Sequence, residues 1–369
     1  MLDGSLAEGV GQGGLLADVS PRLHRIVERL DRAANDKKVG AVLLAMKSPD
    51  LGRARADELR AAILRLRAKG KPVAVHLLDT EPVHYLVAGV ADTVMIAPAA
   101  TLAITGVRAE VTFLKEMLDK VGIEAEILQV GEFKGAGEML TRTGMSPQLR
   151  EQYEAYVGDL YEQLVERVSE DRKLPPDRVR QLIDTGVFTP EAAKAAGLVD
   201  EILYEDEAVL HLARTAKLVT QVDDGKDAAP KVLRDYAKQS LNETDFSGIT
   251  GLIKLVDLFS GGGGAAGSRG GSRKIAIVHL SGTIDDGSTS GLLGGGGGPG
   301  AVIKALQDAD ADDSVAAVVL RIDSPGGSAL ASDLIWREAK RTDKPVVASL
   351  SDTAASGGYY VAVAADKIV

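Results

Sequence analysis

The chain has 369 residues, a net charge of −10 and no cysteine. That length holds two domains, each with a sizeable core. The acidic balance argues against a nucleic-acid partner, which needs clustered Lys and Arg, and the lack of thiols excludes disulfides, thiolate catalysis and cysteine-ligated metal. The five histidines (His24, His76, His84, His211 and His279) show no metal-ligand spacing, so no metal site is expected. No apolar run is long enough for a membrane span, and the N-terminus lacks a basic-then-apolar signal pattern.

Taken in chain order, the elements alternate as in an α/β fold. Val39–Met46 and, later in the chain, Val315–Ile322 are near-continuous apolar runs, predicting strands covered on both faces. A helix over Ala56–Ala68 and a strand over Pro72–Leu78 follow. Pro147–Glu170 reads as a long amphipathic helix with Tyr153, Tyr156, Val157, Leu160, Leu164 and Val168 on one face. Thr189-Pro190-Glu191 is a helix start with its cap and first-turn proline, and Gly197 is a stop. Residues 226–273 form a connector whose stretch Ser260–Ser272 has linker composition. Beyond it come a strand at Ile275–Leu280, a glycine run at Gly294–Gly298, a strand at Val315–Ile322, a helix at Ser332–Lys340, a strand at Pro345–Leu350 and a small-residue helix at Tyr359–Ala365. The glycine runs lack the Gly-Lys-Ser/Thr ending of a phosphate loop and read as flexible loops.

The chain is a diverged duplication. Val39–Pro49 matches Val315–Pro325, 276 positions later, and Lys71-Pro72-Val73 matches Lys344-Pro345-Val346 at 273. Asp79-Thr80 matches Asp352-Thr353, Ala91-Asp92 matches Ala365-Asp366, and Leu2–Leu6 matches Leu280–Ile284. The implied domains are a first repeat over 1–225, the connector over 226–273 and a second repeat over 274–369. The first copy continues well beyond Asp92, so the second is expected to lack about a hundred residues and the chain to be a fragment of a longer protein.

The chemistry concentrates in the second copy. Ser356 is set among small residues, with Gly357 and Gly358 after it and Gly326-Gly327 ending the earlier strand. A serine nucleophile needs open approach and backbone N–H groups aimed at the developing oxyanion. Glycines allow that approach, and the following helix N-terminus favours negative charge. The alternative for Ser356 is an ordinary helix cap, and for the glycines a turn needing positive φ. In the first copy Glu81–Tyr85 holds no serine or glycine pair, and Asp50 and Leu51 replace Gly326 and Gly327. The base is not a histidine by any visible constellation. A lysine serves if burial keeps it neutral, and Lys134, in Val130–Gly137, has small and apolar neighbours that could enclose it. The alternative is a solvated surface lysine, with Glu132 and Glu138 raising its pKa. Tyr359 and Tyr360 are expected to pack in the core rather than line a groove. Asp323 and Asp352 invite reading as an acid pair, but the counterpart Asp79 favours a structural role for Asp352.

These segments resemble the signal peptide peptidase A (protease IV) family of serine/lysine peptidases, within the Clp-protease/crotonase-like superfamily. The resemblance runs through Val130–Gly135, Met145-Ser146-Pro147, Val187–Glu191, Gly197–Asp200, Arg321–Ser328, Ala355–Tyr360 and Ala365–Ile368. It implies tandem crotonase/Clp-like α/β domains, the second truncated. It further implies a Ser356/Lys134 dyad, an oxyanion hole from Gly357 and the Gly326/Gly327 pair, and no cofactor. Expected substrates are remnant signal peptides and other unfolded chains bound extended. The family implies a homo-oligomeric ring or dome, with the dyad shared between neighbouring subunits, and membrane association on the extracytoplasmic side through a segment absent from this chain. Two rival readings stand beside it: a catalytically inactive assembly scaffold, and a crotonase-like acyl-CoA enzyme, which would not need Ser356.

Overall fold

A computed structural model describes residues 2–6, 22–219, 230–234, 236, 273–285 and 299–369. Most of the connector and the run Gly294–Gly298 lie outside the described residues. In chain order the elements are β1 (Leu2–Ser5), α1 (Leu23–Asn35), β2 (Val42–Asp50), α2 (Arg53–Ala68), β3 (Val73–Asp79), α3 (Pro82–Gly89), β4 (Thr93–Ile96), β5 (Leu102–Ala103), α4 (Lys115–Lys120), α5 (Glu138–Thr141), α6 (Pro147–Arg172), α7 (Pro176–Thr185), β6 (Val187–Phe188), α8 (Pro190–Ala195), β7 (Glu201–Ile202) and α9 (Glu205–Thr215). They continue with β8 (Lys274–Ser281), α10 (Pro299–Ala311), β9 (Val315–Ser324), α11 (Ala329–Arg341), β10 (Val346–Ala354), α12 (Gly357–Ala362) and β11 (Lys367–Ile368). The chain is α/β with parallel sheets, and it divides into two compact units, one of Met1–Val73 with Val209–Val369 and one of Ala74–Ala208.

In the first unit β11, β10, β9 and β8 form a parallel sheet in that order. Val318, Leu320 and Ile322 of β9 are fully buried and meet Leu306, Ile335, Val346, Ala348 and Val361 in one core. The other face is not fully covered: β9 alternates between buried and half-buried, and Ile275 and Ile277 of β8 are exposed. The run Val315–Ile322 predicts cover on both faces because its outward positions Ala317 and Val319 are apolar as well, but they are only half-buried, as is Arg321. β1 pairs in parallel with β2, and α1 packs on α2.

Strand register repeats between the copies. Leu2 pairs with Met46 as Leu280 pairs with Ile322, and Asp3 pairs with Lys47 as Ser281 pairs with Asp323. Likewise Ala74 faces Thr93 as Val347 faces Lys367. Segments with matching apolar positions keep matching registers because a slip of one residue would turn each apolar set outward.

In the second unit β3, β4 and β7 are parallel, and β3 is buried through Val73–Leu77, as strands covered on both faces require. α6 starts at a Ser146 cap whose hydroxyl accepts from Leu149 N, with Pro147 in the first turn. Its second half buries Leu164, Val165 and Val168, but Tyr153 and Leu160 are only half-buried and Tyr156 is exposed, so the predicted face is covered along part of its length. Thr189 caps α8 and Gly197 takes φ +78°, as the sequence predicts. The closing segment is fixed by the Arg172–Asp200 ion pair at 2.6 Å and by Tyr85 Oη donating to Leu198 O at 2.6 Å. Burial pushes the Tyr85 phenol well above its ordinary pKa.

Candidate active site

β10 delivers the chain into a sharp strand-to-helix turn. Register with β9 is lost between Leu350 and Ala354, so β10 bulges there and is re-aimed. Ser356 then takes φ +48°, ψ −118°, a conformation that L-residues avoid. Such strained turns lift a serine hydroxyl clear of its strand and helix. Ser356 is exposed, and its hydroxyl makes no hydrogen bond among the described residues. Its carbonyl accepts from Tyr360 N at 2.9 Å, and Ala355 O accepts from Gly358 N at 2.9 Å, which locks the turn onto α12.

The glycines are required by close approach. A Cβ on Gly358 would lie 2.6 Å from Ser324 O, and one on Gly357 would run into Ser332 Oγ. Gly326, at φ +91°, sits against Ser356: a Cβ there would lie 2.9 Å from Ser356 Cβ and from Ala355 O, and would strike Gly357 N. Ser324, fully buried, organises the loop. Its hydroxyl donates to Gly282 O at 2.6 Å and accepts from Gly326 N at 3.1 Å, while its carbonyl accepts from Ala355 N at 3.1 Å. The Gly326 N–H is therefore engaged. Gly327 bridges Ile284 through its neighbours: Ile284 N donates to Gly326 O and Ser328 N to Ile284 O. This leaves the Gly327 N–H directed away from that bridge, and the N–H groups of Gly327 and Gly357 make no hydrogen bond among the described residues.

The corresponding turn of the first copy is unstrained at its helix cap, although Ser48, which matches Ser324, takes φ +41°. Glu81, which caps the corresponding helix α3, has φ −112°, and its N–H donates to His84 Nδ1 at 2.9 Å in a capping box. His84 and His76 are both buried, His76 with Nε2 2.8 Å from Leu203 O. Among the described residues no histidine hydrogen-bonds Ser356.

Lys134 belongs to the other unit. It precedes a short 3-10 turn, Gly135–Gly137. Gly135 packs on Leu149 and Gly137 on Ile127, where Cβ atoms would come within 2.8 Å and 2.5 Å. Glu138 ties this turn to α6, accepting from Ser146 Oγ at 2.6 Å and Ser146 N at 2.8 Å, and those bonds hold its pKa below the ordinary carboxylate value. Glu138 is thus committed to Ser146. The small and apolar neighbours do not enclose the lysine: Lys134 is exposed, and Leu128 and Val130 are each 95% exposed.

Two further expectations change. Tyr359 and Tyr360 are exposed rather than in the core, because α12 turns its small residues Gly357, Gly358, Val361 and Ala362 inward. Tyr360 Oη donates to Asp333 at 2.7 Å, and its ring lies 6.1 Å from Trp336. Asp323 and Asp352 are no acid pair, since Arg55 lies between them, 2.6 Å from Asp323 and 2.8 Å from Asp352. Asp352 also caps α2, as the structural reading of its counterpart Asp79 expects. Sequence reasoning missed Arg55, Glu58 and Arg321; the available signal was a charged residue inside an apolar strand, Arg321 in β9, which pairs with Glu58 of α2.

A parallel α/β sheet ending in a strained serine turn, beside two N–H groups with no hydrogen bond among the described residues, has the geometry that acyl transfer at a serine requires. The model of peptidase family S49 matches residues 65–219 and 338–369, just over half of the chain, and the chain belongs to that family. It is 31% identical over 355 residues to the chloroplastic serine protease SPPA of Arabidopsis thaliana, covering 94% of this chain and 48% of that protein. It is 29% identical over 350 residues to Protease 4 of Haemophilus influenzae (93% of this chain, 53% of that protein) and 26% identical over 352 residues to Protease 4 of Salmonella typhi (94% and 53%). The chain spans about half the length of these curated relatives. Among the described residues no helix is long and apolar enough to cross a membrane.

Proposed function

We propose that this chain carries the chemistry of a serine endopeptidase acting on unfolded or extended peptides, remnant signal peptides among them. The observation that carries the reading is Ser356 at φ +48° in a strand-to-helix turn, with Gly326 packed against it and the N–H groups of Gly327 and Gly357 without partners among the described residues. Ser356 Oγ attacks the scissile carbonyl. The carbonyl oxygen gains negative charge and is held by the two N–H groups. Lys134 takes the Ser356 proton and passes it to the leaving amine, and water then hydrolyses the acyl-enzyme. A neutral lysine needs a dry environment. The exposure of Lys134 supports a dyad completed between subunits of a ring- or dome-like homo-oligomer, where a neighbour covers Leu128, Val130 and the lysine. The repeats over 1–225 and 274–369 then divide the labour, one presenting the base and the other the nucleophile.

The same exposed lysine favours a second reading, an assembly scaffold without turnover. Hydrolysis of an unfolded polypeptide separates the two. The peptidase reading expects cleavage by the wild-type protein and none by Ser356→Ala with its fold intact. Equal cleavage by both, or by neither, would overturn it.

A further inference from the structure

The first copy lacks the nucleophile and the glycine pair, yet one of its side chains reaches the base of the serine turn. Arg55, on the first turn of α2, is 15% exposed. Its Nη2 donates to Asp323 at 2.6 Å, its Nε lies 2.8 Å from Asp352, and its Nη1 donates to Leu6 O at 3.4 Å. The two carboxylates stand on adjacent strands and are 13% and 15% exposed, so without a cation between them they would repel across the sheet. A planar guanidinium reaches both at once, which an ammonium does not.

Each carboxylate is also wired to the site. Asp323 accepts from Thr353 N at 3.1 Å and so holds the β10 bulge. It directly precedes Ser324, whose hydroxyl and carbonyl fix Gly326 N and Ala355 N. Asp352 lies four residues before Ser356 and accepts from Gly52 N, Ala54 N and Arg55 N at 3.1, 2.8 and 3.3 Å, which fixes β10 to the start of α2. Gly52 has room for no side chain, since a Cβ there would strike the Asp352 carboxylate. Beside this clamp, Arg321 of β9 reaches Glu58 of α2 and Ser351 and Ser349 of β10.

We propose that Arg55 is a positioning residue for the serine site: a guanidinium from the non-nucleophilic copy sets the spacing of the two strand ends that carry Gly327 and Gly357, and thereby the width of the oxyanion hole. This rests on the peptidase reading above. Arg55 touches no reacting atom; it acts through Asp323 and Asp352.

The test compares Arg55→Met, Arg55→Lys and the double variant Arg55→Met with Asp323→Asn, which removes one of the two facing charges and keeps the acceptor for Thr353. Two readouts are taken on the whole chain: amide exchange over residues 323–328 and 351–360, and the rate at which an alkyl fluorophosphonate labels Ser356, resolved into saturation and maximal rate. Arg55→Met should speed exchange in those two segments about tenfold or more while the helices of the second unit are unchanged. Its maximal labelling rate should fall about tenfold to a hundredfold with the saturation constant within about twofold. Arg55→Lys should fall between, and the double variant should recover at least half of the logarithmic loss. Wild-type exchange in Arg55→Met, or raised exchange with unchanged labelling, would overturn the proposal. Should Arg55→Met not fold, Arg55→Lys and the double variant decide by the same criteria. Absence of labelling in the wild type would refute the peptidase reading instead, and exchange alone would then decide whether Arg55 clamps the strand ends.

Discussion

Replacing Gly326 by alanine tests the geometry of the site with a single methyl group. The residue sits at φ +91°, where a side chain costs about 1–3 kcal/mol in backbone strain. The added Cβ would also lie 2.9 Å from Ser356 Cβ and from Ala355 O, well inside ordinary van der Waals contact, and would strike Gly357 N. Overpacking of that kind costs about 1–3 kcal/mol more. The backbone cannot yield freely, since Gly326 N is bonded to Ser324 Oγ and Gly326 O to Ile284 N. The strain is therefore relieved by displacing the Ser356–Gly357 turn. Loss of one oxyanion donor lowers turnover about a hundredfold to a thousandfold, and labelling of Ser356 by a fluorophosphonate should fall by a similar factor. Gly70→Ala is the control: it has φ +72° with nothing within 4 Å, so it carries the backbone cost without the clash. It should lose some stability and keep its labelling rate. Labelling of folded Gly326→Ala within threefold of wild type would refute the reasoning.

Ser356→Ala and Lys134→Ala should each abolish peptide hydrolysis without unfolding the protein, as far-ultraviolet circular dichroism and activity would show; wild-type-like hydrolysis by Lys134→Ala would remove the base assignment. If subunits share the dyad, mixing those two inactive proteins should restore part of the activity once subunit exchange is demonstrated, and complete failure to complement would count against sharing. Glu138 has a pKa depressed by the bonds from Ser146, so its contribution to holding the Lys134 turn is present above the ordinary carboxylate pKa and is lost as pH falls through the depressed folded value. Amide exchange over residues 131–146, corrected for intrinsic rates, should accelerate across that acidic window, and Glu138→Gln should flatten the dependence.

The longer parallel strands β2, β3, β8, β9 and β10 were legible as apolar runs, and the internal match was legible because such runs recur with their flanking motifs; the short strands β1, β4, β7 and β11 were not, because two to four residues carry no pattern of their own. The glycines at 326, 327, 357 and 358 pointed to the site for a physical reason: a backbone that must approach closely excludes side chains, and that exclusion is written in the sequence. What could not be read is which N–H is free. That depends on Ser324, a buried hydroxyl whose partners Gly282 and Gly326 lie in two separate loops. The Arg55 and Arg321 pairs were hidden because their partners lie more than 250 positions away, with no local pattern to mark them. Tyr359 and Tyr360 misled because aromatic residues beside a small-residue helix suggest a core, whereas a helix of six residues has one inward face and its glycines and alanine fill it. Exposure of Lys134 was equally invisible, since apolar neighbours in sequence enclose a residue only when the chain folds back over it.

The central claim is that Ser356 is a nucleophile held beside an oxyanion hole. The most direct measurement is peptide mapping by mass spectrometry after reaction with an alkyl fluorophosphonate. One adduct per chain is expected, on the Ser356 hydroxyl, formed when the folded protein meets the reagent and not formed when the protein is denatured beforehand. No adduct on Ser356, or equal modification of Ser356 and other exposed serines in the folded protein, would contradict it.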